Sequence, residues 1–205
     1  MYVPAKFLLD DLGAWSVVAD AGAGTLIIVT PSGMASAFVP VVVSEDHATI
    51  RSHVARANPW WRAVVPGNDV LGIFLAASAY VTPSYYPSRF EQPGVVPTWN
   101  YVAAEVRGRI SINDDPEWKL RQVRSQTDQF EADRSPPWRV DDSPSDYIDK
   151  QLKAIVGIEI EVVSIEGKAK LSQNRPDVDH DSVREHLARG RLNEQNVAER
   201  MNPGG

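Results

Sequence analysis

Three short stretches of the chain concentrate side chains that could bind or transform a ligand. Gly167-Lys168-Ala169-Lys170-Leu171-Ser172-Gln173-Asn174-Arg175 places three cations among polar side chains. On an extended strand Lys168, Lys170 and Ser172 would share one face. Such a face suits a phosphate; the alternative is a solvated hairpin edge guarded by lysines. Ala79-Tyr80-Val81-Thr82-Pro83-Ser84-Tyr85-Tyr86-Pro87, followed by Val96-Pro97-Thr98-Trp99-Asn100-Tyr101, mixes aromatic rings with hydroxyls and an amide. Rings supply faces and hydroxyls supply edges for a flat heterocycle. The alternative is a Pro/Tyr loop packed on the core. Ser52-His53-Val54-Ala55-Arg56-Ala57-Asn58-Pro59-Trp60 ends a strand with an arginine whose planar fork can meet a phosphate. A surface arginine beside a turn would read the same way.

Conventional catalysis finds little support. There are no cysteines, which removes disulfides, thiolate metal sites and cysteine nucleophiles together. The four histidines, His47, His53, His180 and His186, show no H-x-x-H or H-E-x-x-H spacing. No G-x-S-x-G, G-x-G-x-x-G or Walker loop is present. The pairs Asp10-Asp11, Asp114-Asp115 and Asp141-Asp142 sit at helix starts or turns, where capping explains them.

These residues must be positioned by a chain of 205 residues, 43% hydrophobic, with net charge −6. That length suits one large domain, or a domain with a helical appendage. The charge lacks the basic surplus of a protein that grips DNA alone. No apolar run approaches the ~20 residues of a membrane span, and the first residues lack a signal-peptide pattern. The expectation is a soluble cytoplasmic protein.

The pattern predicts a helix over Phe7–Val18, a hairpin of Thr25–Thr30 with Met34–Val43, and a strand over Ala48–Arg56. A short helix follows over Asn58–Val65. Val70–Ala76 is a strand that Tyr80–Thr82 continues, and Thr98–Ile112 is a long strand. Asp115-Pro116 opens a helix with an apolar stripe of Leu120, Val123, Thr127 and Phe130. Ser143–Asp146 opens another, with the stripe Ile148, Leu152 and Ile155. Gly157–Ile165 is a strand that Glu166-Gly167 turns into Lys168–Ser172. Beyond Val178 the chain is helical and charged, and Asn202–Gly205 frays. Strands following one another without crossover helices predict an antiparallel sheet or barrel.

Taken together, the three stretches resemble the PaiB family, described as flavin mononucleotide (FMN)-binding negative transcriptional regulators. Matching runs include Met1-Tyr2-Val3-Pro4, His53-Val54-Ala55-Arg56-Ala57-Asn58-Pro59, Ala79-Tyr80-Val81-Thr82-Pro83-Ser84, Thr98-Trp99-Asn100-Tyr101 and Lys170-Leu171-Ser172-Gln173-Asn174-Arg175. That family is similar to the split-barrel flavoproteins. The resemblance implies a mainly β fold with flanking helices, a six-stranded antiparallel split β-barrel of the FMN-binding type. It implies a barrel domain over residues 1–175 with inserted helices, and a helical appendage over 176–205.

The resemblance further implies FMN sites built by both chains of a homodimer. The residues it singles out for the cofactor are His53, Arg56, Asn58, Tyr80, Thr98, Trp99, Asn100, Lys170, Ser172, Gln173 and Arg175. Of these, Arg56, Lys170, Ser172 and Arg175 would surround the phosphate. The function it implies is a flavin-binding regulator. Two alternatives stand beside it: a flavin-dependent oxidoreductase of the split-barrel class, and a cofactor-free dimeric interaction protein. A DNA or protein partner is expected, with weak direct DNA binding and no membrane association.

Overall fold

The computed structural model describes residues 1–91 and 94–202. The part of the frayed end expected over residues 203–205 lies outside them. Among the described residues eight strands form one sheet: β1 (Leu8–Leu9), β2 (Ala23–Thr30), β3 (Gly33–Pro40), β4 (Val42–Val43), β5 (Thr49–Ala55), β6 (Asn68–Val81), β7 (Thr98–Asn113) and β8 (Ile155–Lys170). Their order is β3-β2-β6-β7-β8-β5-β4, with β1 also on β8. The pairs β1–β8, β2–β3, β2–β6, β4–β5 and β5–β8 are antiparallel. The same residues hold five α-helices: α1 (Asp11–Ala21), α2 (Pro116–Glu131), α3 (Ser145–Lys153), α4 (Asp177–Ala188) and α5 (Leu192–Arg200). The class is mainly antiparallel β with flanking helices, as expected, but the strands number eight rather than six.

Chain contacts divide the molecule into two compact units. Unit 1 comprises Met1–Ala21, Phe74–Ala104 and Glu166–Gly205; unit 2 comprises Gly22–Ile73 and Glu105–Ile165.

In unit 1 the expected helix over Phe7–Val18 starts later. Leu8 and Leu9 pair instead with Lys168 and Gly167. The Asp10 carboxylate then accepts the Gly13 N–H at 2.8 Å and caps α1. This pairing also removes the turn expected at Glu166-Gly167, because β8 runs through to Lys170. Gly167 is there for space: a Cβ would lie 2.7 Å from the Ala14 Cβ. The small residues Ala76-Ala77-Ser78-Ala79 hide that β6 is one strand. Its buried positions change from even (Val70, Phe74) to odd (Ala77, Ala79, Val81), which breaks the simple alternation. The charged tail is two helices, α4 and α5, whose apolar faces bury Val183, Leu187 and Val197.

Unit 2 buries Leu26, Ile28, Val39, Ile50, Ile110, Ile158 and Ile160 on alternating strand positions. The short helix after β5 is a 3-10 turn, Pro59–Ala63. α2 begins where expected, on the Asp115 cap and Pro116. Its inward face is not the expected apolar stripe: Lys119 and Gln122 are buried, one position off Leu120 and Val123, and Phe130 is exposed.

Candidate functional site

Unit 1 gathers eight of the expected residues. Thr98, Trp99 and Asn100 open β7, Tyr80 is near the end of β6, and Lys170 ends β8. Lys170 Nζ donates to the Thr98 hydroxyl and, at 2.6 Å, to the Trp99 carbonyl. Lys168, two residues earlier on the strand, is 8% exposed and donates to the Tyr2 carbonyl at 3.0 Å. Its ammonium lies 5.2 Å from the Tyr101 ring centre. The Arg175 guanidinium lies over Tyr86, 4.4 Å from the ring centre. Lys168, Lys170 and Arg175 form no ion pair with a carboxylate among the described residues. Burial, followed by repulsion from Lys168 and Arg175, holds the Lys170 ammonium below its ordinary pKa. Like charges held together without a counter-charge favour an incoming anion. Beside them Tyr80 and Trp99 meet edge to face at 6.3 Å, both about half exposed.

The other three residues of this group serve the fold. β8 ends at Lys170, so the strand alternation does not reach Ser172, which turns into the left-handed region at φ 64°. Its hydroxyl faces the buried Asn100 amide at 3.0–3.1 Å instead of joining the lysines. Asn100 Nδ2 also approaches the Met201 sulfur at 3.8 Å. The Gln173 side chain staples its own turn, accepting from Leu171 N–H and donating to the Ala169 carbonyl, both at 2.6 Å. Lys168 was absent from the expected set, although its two-residue spacing from Lys170 signalled it.

The remaining three expected residues lie in unit 2. Arg56 donates to Asp114 and to the carbonyls of Lys153 at 2.7 Å and Ile155 at 3.0 Å. Its fork therefore ties the end of β5 to the start of β8, which is not the phosphate-facing arrangement expected of it. Asp114 also accepts from Lys119 Nζ at 2.8 Å. Arg56, then Lys119, hold its carboxyl below the usual range. Asn58 caps the 3-10 turn by accepting the Trp60 N–H at 3.0 Å. His53 Nδ1 is buried with no partner among the described residues, and burial lowers the pKa of the ring. Among the described residues no group of His, Asp and Glu has the arrangement of a metal site. No helix among them is long and apolar enough to cross a membrane.

The chain is similar to several known proteins. A family model described as "Putative FMN-binding domain" matches residues 1–164. The chain is 32% identical over 190 residues to the protease synthase and sporulation protein PAI 2 of Bacillus subtilis, covering 91% of this chain and 89% of that one. An uncharacterized protein of Emericella nidulans is 33% identical over 166 residues, covering 68% and 66%. Among solved structures, the flavocytochrome Anf3 from Azotobacter vinelandii aligns with a TM-score of 0.60 at 10% identity, covering 82% of this chain and 72% of that one. The FAD and heme binding protein from Mycobacterium smegmatis aligns at 0.58 and 17%, covering 80% and 73%. At these identities the structural likeness is one of fold: that of the split-barrel flavoproteins.

Proposed function

We propose, from the premise that this chain belongs to the FMN-binding domain family, that it works as a homodimeric flavin-binding regulator of the PaiB type. FMN is the cofactor of the family. The observation that carries the reading is the trio Lys168, Lys170 and Arg175, three cations that form no ion pair with a carboxylate among the described residues, with Lys170 depressed. A phosphate monoester near neutral pH carries close to two negative charges and would relieve their repulsion. Thr98 and the Trp99 carbonyl hold Lys170 in place for it. The exposed Tyr80–Trp99 pair offers ring faces to a flat heterocycle. Bound FMN supplies hydride and electron transfer at its ring; this chain's residues bind and orient it.

The regulatory side of the reading draws on the Bacillus relative, whose name ties it to protease synthesis and sporulation. The dimer draws on the outer face of unit 2. Register places Phe38, Thr25 and Ile73 in one row, Ser36, Ile27 and Leu71 in the next, and Met34 beside Val29. Phe38 is 74% and Met34 82% exposed, so this sheet face presents an apolar patch of the kind that partners cover. The proposed occupant is a second copy of the chain.

Titration with FMN and with riboflavin, which lacks the phosphate, tests the assignment. Lys170→Met should weaken FMN binding about tenfold to a hundredfold, the scale of one charged hydrogen bond, and leave riboflavin binding unchanged. Equal affinity of the variant for FMN would remove Lys170 from the site. Phe38→Glu should convert a dimer to a monomer in sedimentation. Steady oxidation of a reduced nicotinamide by the flavin-loaded protein would favour the oxidoreductase reading instead.

A further inference from the structure

Arg175 is the member of the cation trio that no strand carries. Lys168 and Lys170 are held on β8 and by the carbonyls they donate to. Arg175 follows the turn at Ser172, whose carbonyl accepts its N–H at 2.9 Å. Its guanidinium lies over the ring of Tyr86, 4.4 Å from the centre. Tyr86 is fully buried between two 3-10 turns, Pro83–Tyr85 and Pro87–Phe90. A cation over an aromatic face is attracted by the ring's quadrupole, more strongly where water is excluded. The Tyr86 hydroxyl is buried with no hydrogen-bond partner among the described residues, so the face carries the hold.

Asp179 is the acid placed to claim that guanidinium. It stands four residues after Arg175, in the first turn of α4, and is fully buried. Burial pushes the Tyr86 hydroxyl above its ordinary pKa; Arg175 opposes that shift and Asp179 adds to it. Both charges therefore act on one ring. Yet Asp179 forms no ion pair with Arg175. Its carboxylate oxygens accept the Ser88 N–H at 3.0 Å and the Ser88 hydroxyl at 2.6 Å instead, as a buried carboxylate requires. Asp177 is nearer in sequence but exposed, where solvent screens it.

We propose, on the flavin reading given above, that Tyr86 and Ser88 are positioning residues for the flavin phosphate. Ser88 engages Asp179 and so keeps that carboxylate off Arg175. Tyr86 holds the guanidinium near Lys170 with a neutral face that leaves its charge uncancelled. Arg175 thereby keeps its donors for an incoming phosphate. A carboxylate in place of the ring would also hold Arg175, but it would fill the fork and repel the phosphate.

Titration of the full chain and its variants with FMN and with riboflavin tests this. Ser88→Ala keeps the N–H to Asp179 but removes the hydroxyl, which frees one carboxylate oxygen for Arg175. It should weaken FMN binding about tenfold and leave riboflavin binding unchanged. Adding Asp179→Asn to Ser88→Ala removes the competing charge and should restore FMN affinity, whereas a merely structural lock would lose more. Tyr86→Phe keeps the face and should bind FMN as the parent does. Tyr86→Leu should lose about tenfold for FMN alone; if it loses riboflavin as well, the core has failed and the Ser88 variants decide. Unchanged FMN affinity in Ser88→Ala, or no recovery in the double variant, would overturn the assignment of Ser88 and Tyr86. If Lys170→Met weakens FMN binding while these variants do not, that assignment alone falls. If Lys170→Met has no effect either, the phosphate reading falls with it.

Discussion

Asp114 holds in the fold the arginine, Arg56, that the sequence offers to a phosphate, and it does so as an ion-pair partner rather than as the helix cap, which is Asp115. The Asp114 carboxylate answers two cations, Arg56 and Lys119, and Lys119 is only 4% exposed. The Lys119 ammonium also donates to the Leu152 carbonyl at 2.8 Å. Removing the carboxylate would leave a buried ammonium without its counter-charge. Asp114→Asn should therefore destabilise the protein at neutral pH by about 1–2 kcal/mol, between an exposed and a fully buried pair, because Asp114 itself is half exposed. The pH dependence has a definite sign. The folded-state pKa lies below the ordinary value of 3.8. The stabilisation is fully present above that value and is lost as pH falls through the folded one. Denaturant melts over the acid range should show a shallower acid loss in Asp114→Asn than in the parent protein. An unchanged midpoint at pH 7 would mean that solvent screens the pair completely. The sequence marked Arg56 correctly as a rigid donor fork, but the partner that claims it lies 58 residues away. Local spacing cannot show such a pairing.

At the scale of elements, α2 depends on close contact with β8. A Cβ at Gly157 would lie 2.3 Å from the Trp118 ring and 2.6 Å from the Asn113 carbonyl oxygen. The carbonyl is backbone and cannot swing aside, so Gly157→Ala must push the start of α2 off the sheet. The expected cost is about 1–3 kcal/mol, typical of overpacking, read as a lower denaturation midpoint with the near-ultraviolet signal of Trp118 altered. A midpoint within experimental error of the parent would show that the helix start yields freely. The same helix marks where sequence reading succeeds and where it stops. Its Asp115 cap and Pro116 start were legible because capping is local chemistry. Its inward face was not, since Lys119 and Gln122 break the rule that apolar residues mark the buried stripe. In unit 1, the lysines of β8 were legible from their two-residue spacing. The turn at Ser172 was not, because a non-glycine residue at φ 64° leaves no mark in the pattern.

For the whole molecule, charge limits what regulation can be. The chain carries a net charge of −6, and pairing two copies doubles it. Protein–DNA affinity draws on Lys and Arg contacts to phosphates and falls steeply with salt. Lys168, Lys170 and Arg175 are, on the proposal above, occupied by the flavin phosphate. Three arginines in or beside the two C-terminal helices have carboxylate neighbours. Arg184 pairs with Asp181 at 3.3 Å, Arg189 with Glu185 at 3.9 Å, and Arg200 with Asp20 at 2.9 Å. Each such acid repels the phosphate that its arginine would attract. Surface pairs of this kind are weak, about 0–1 kcal/mol, so they do not lock the arginines away; they cancel the local field instead. The purified protein should thus bind its own upstream DNA no more tightly than about micromolar at physiological salt, near the nonspecific range. A fluorescence titration across salt concentrations measures this directly, and a shallow salt slope should accompany the weak affinity. Nanomolar, sequence-selective binding by the protein alone would mean that a basic face assembles on folding or pairing which the charge count conceals. Weak binding that becomes tight only when a second protein is added would place the regulatory contact on that partner.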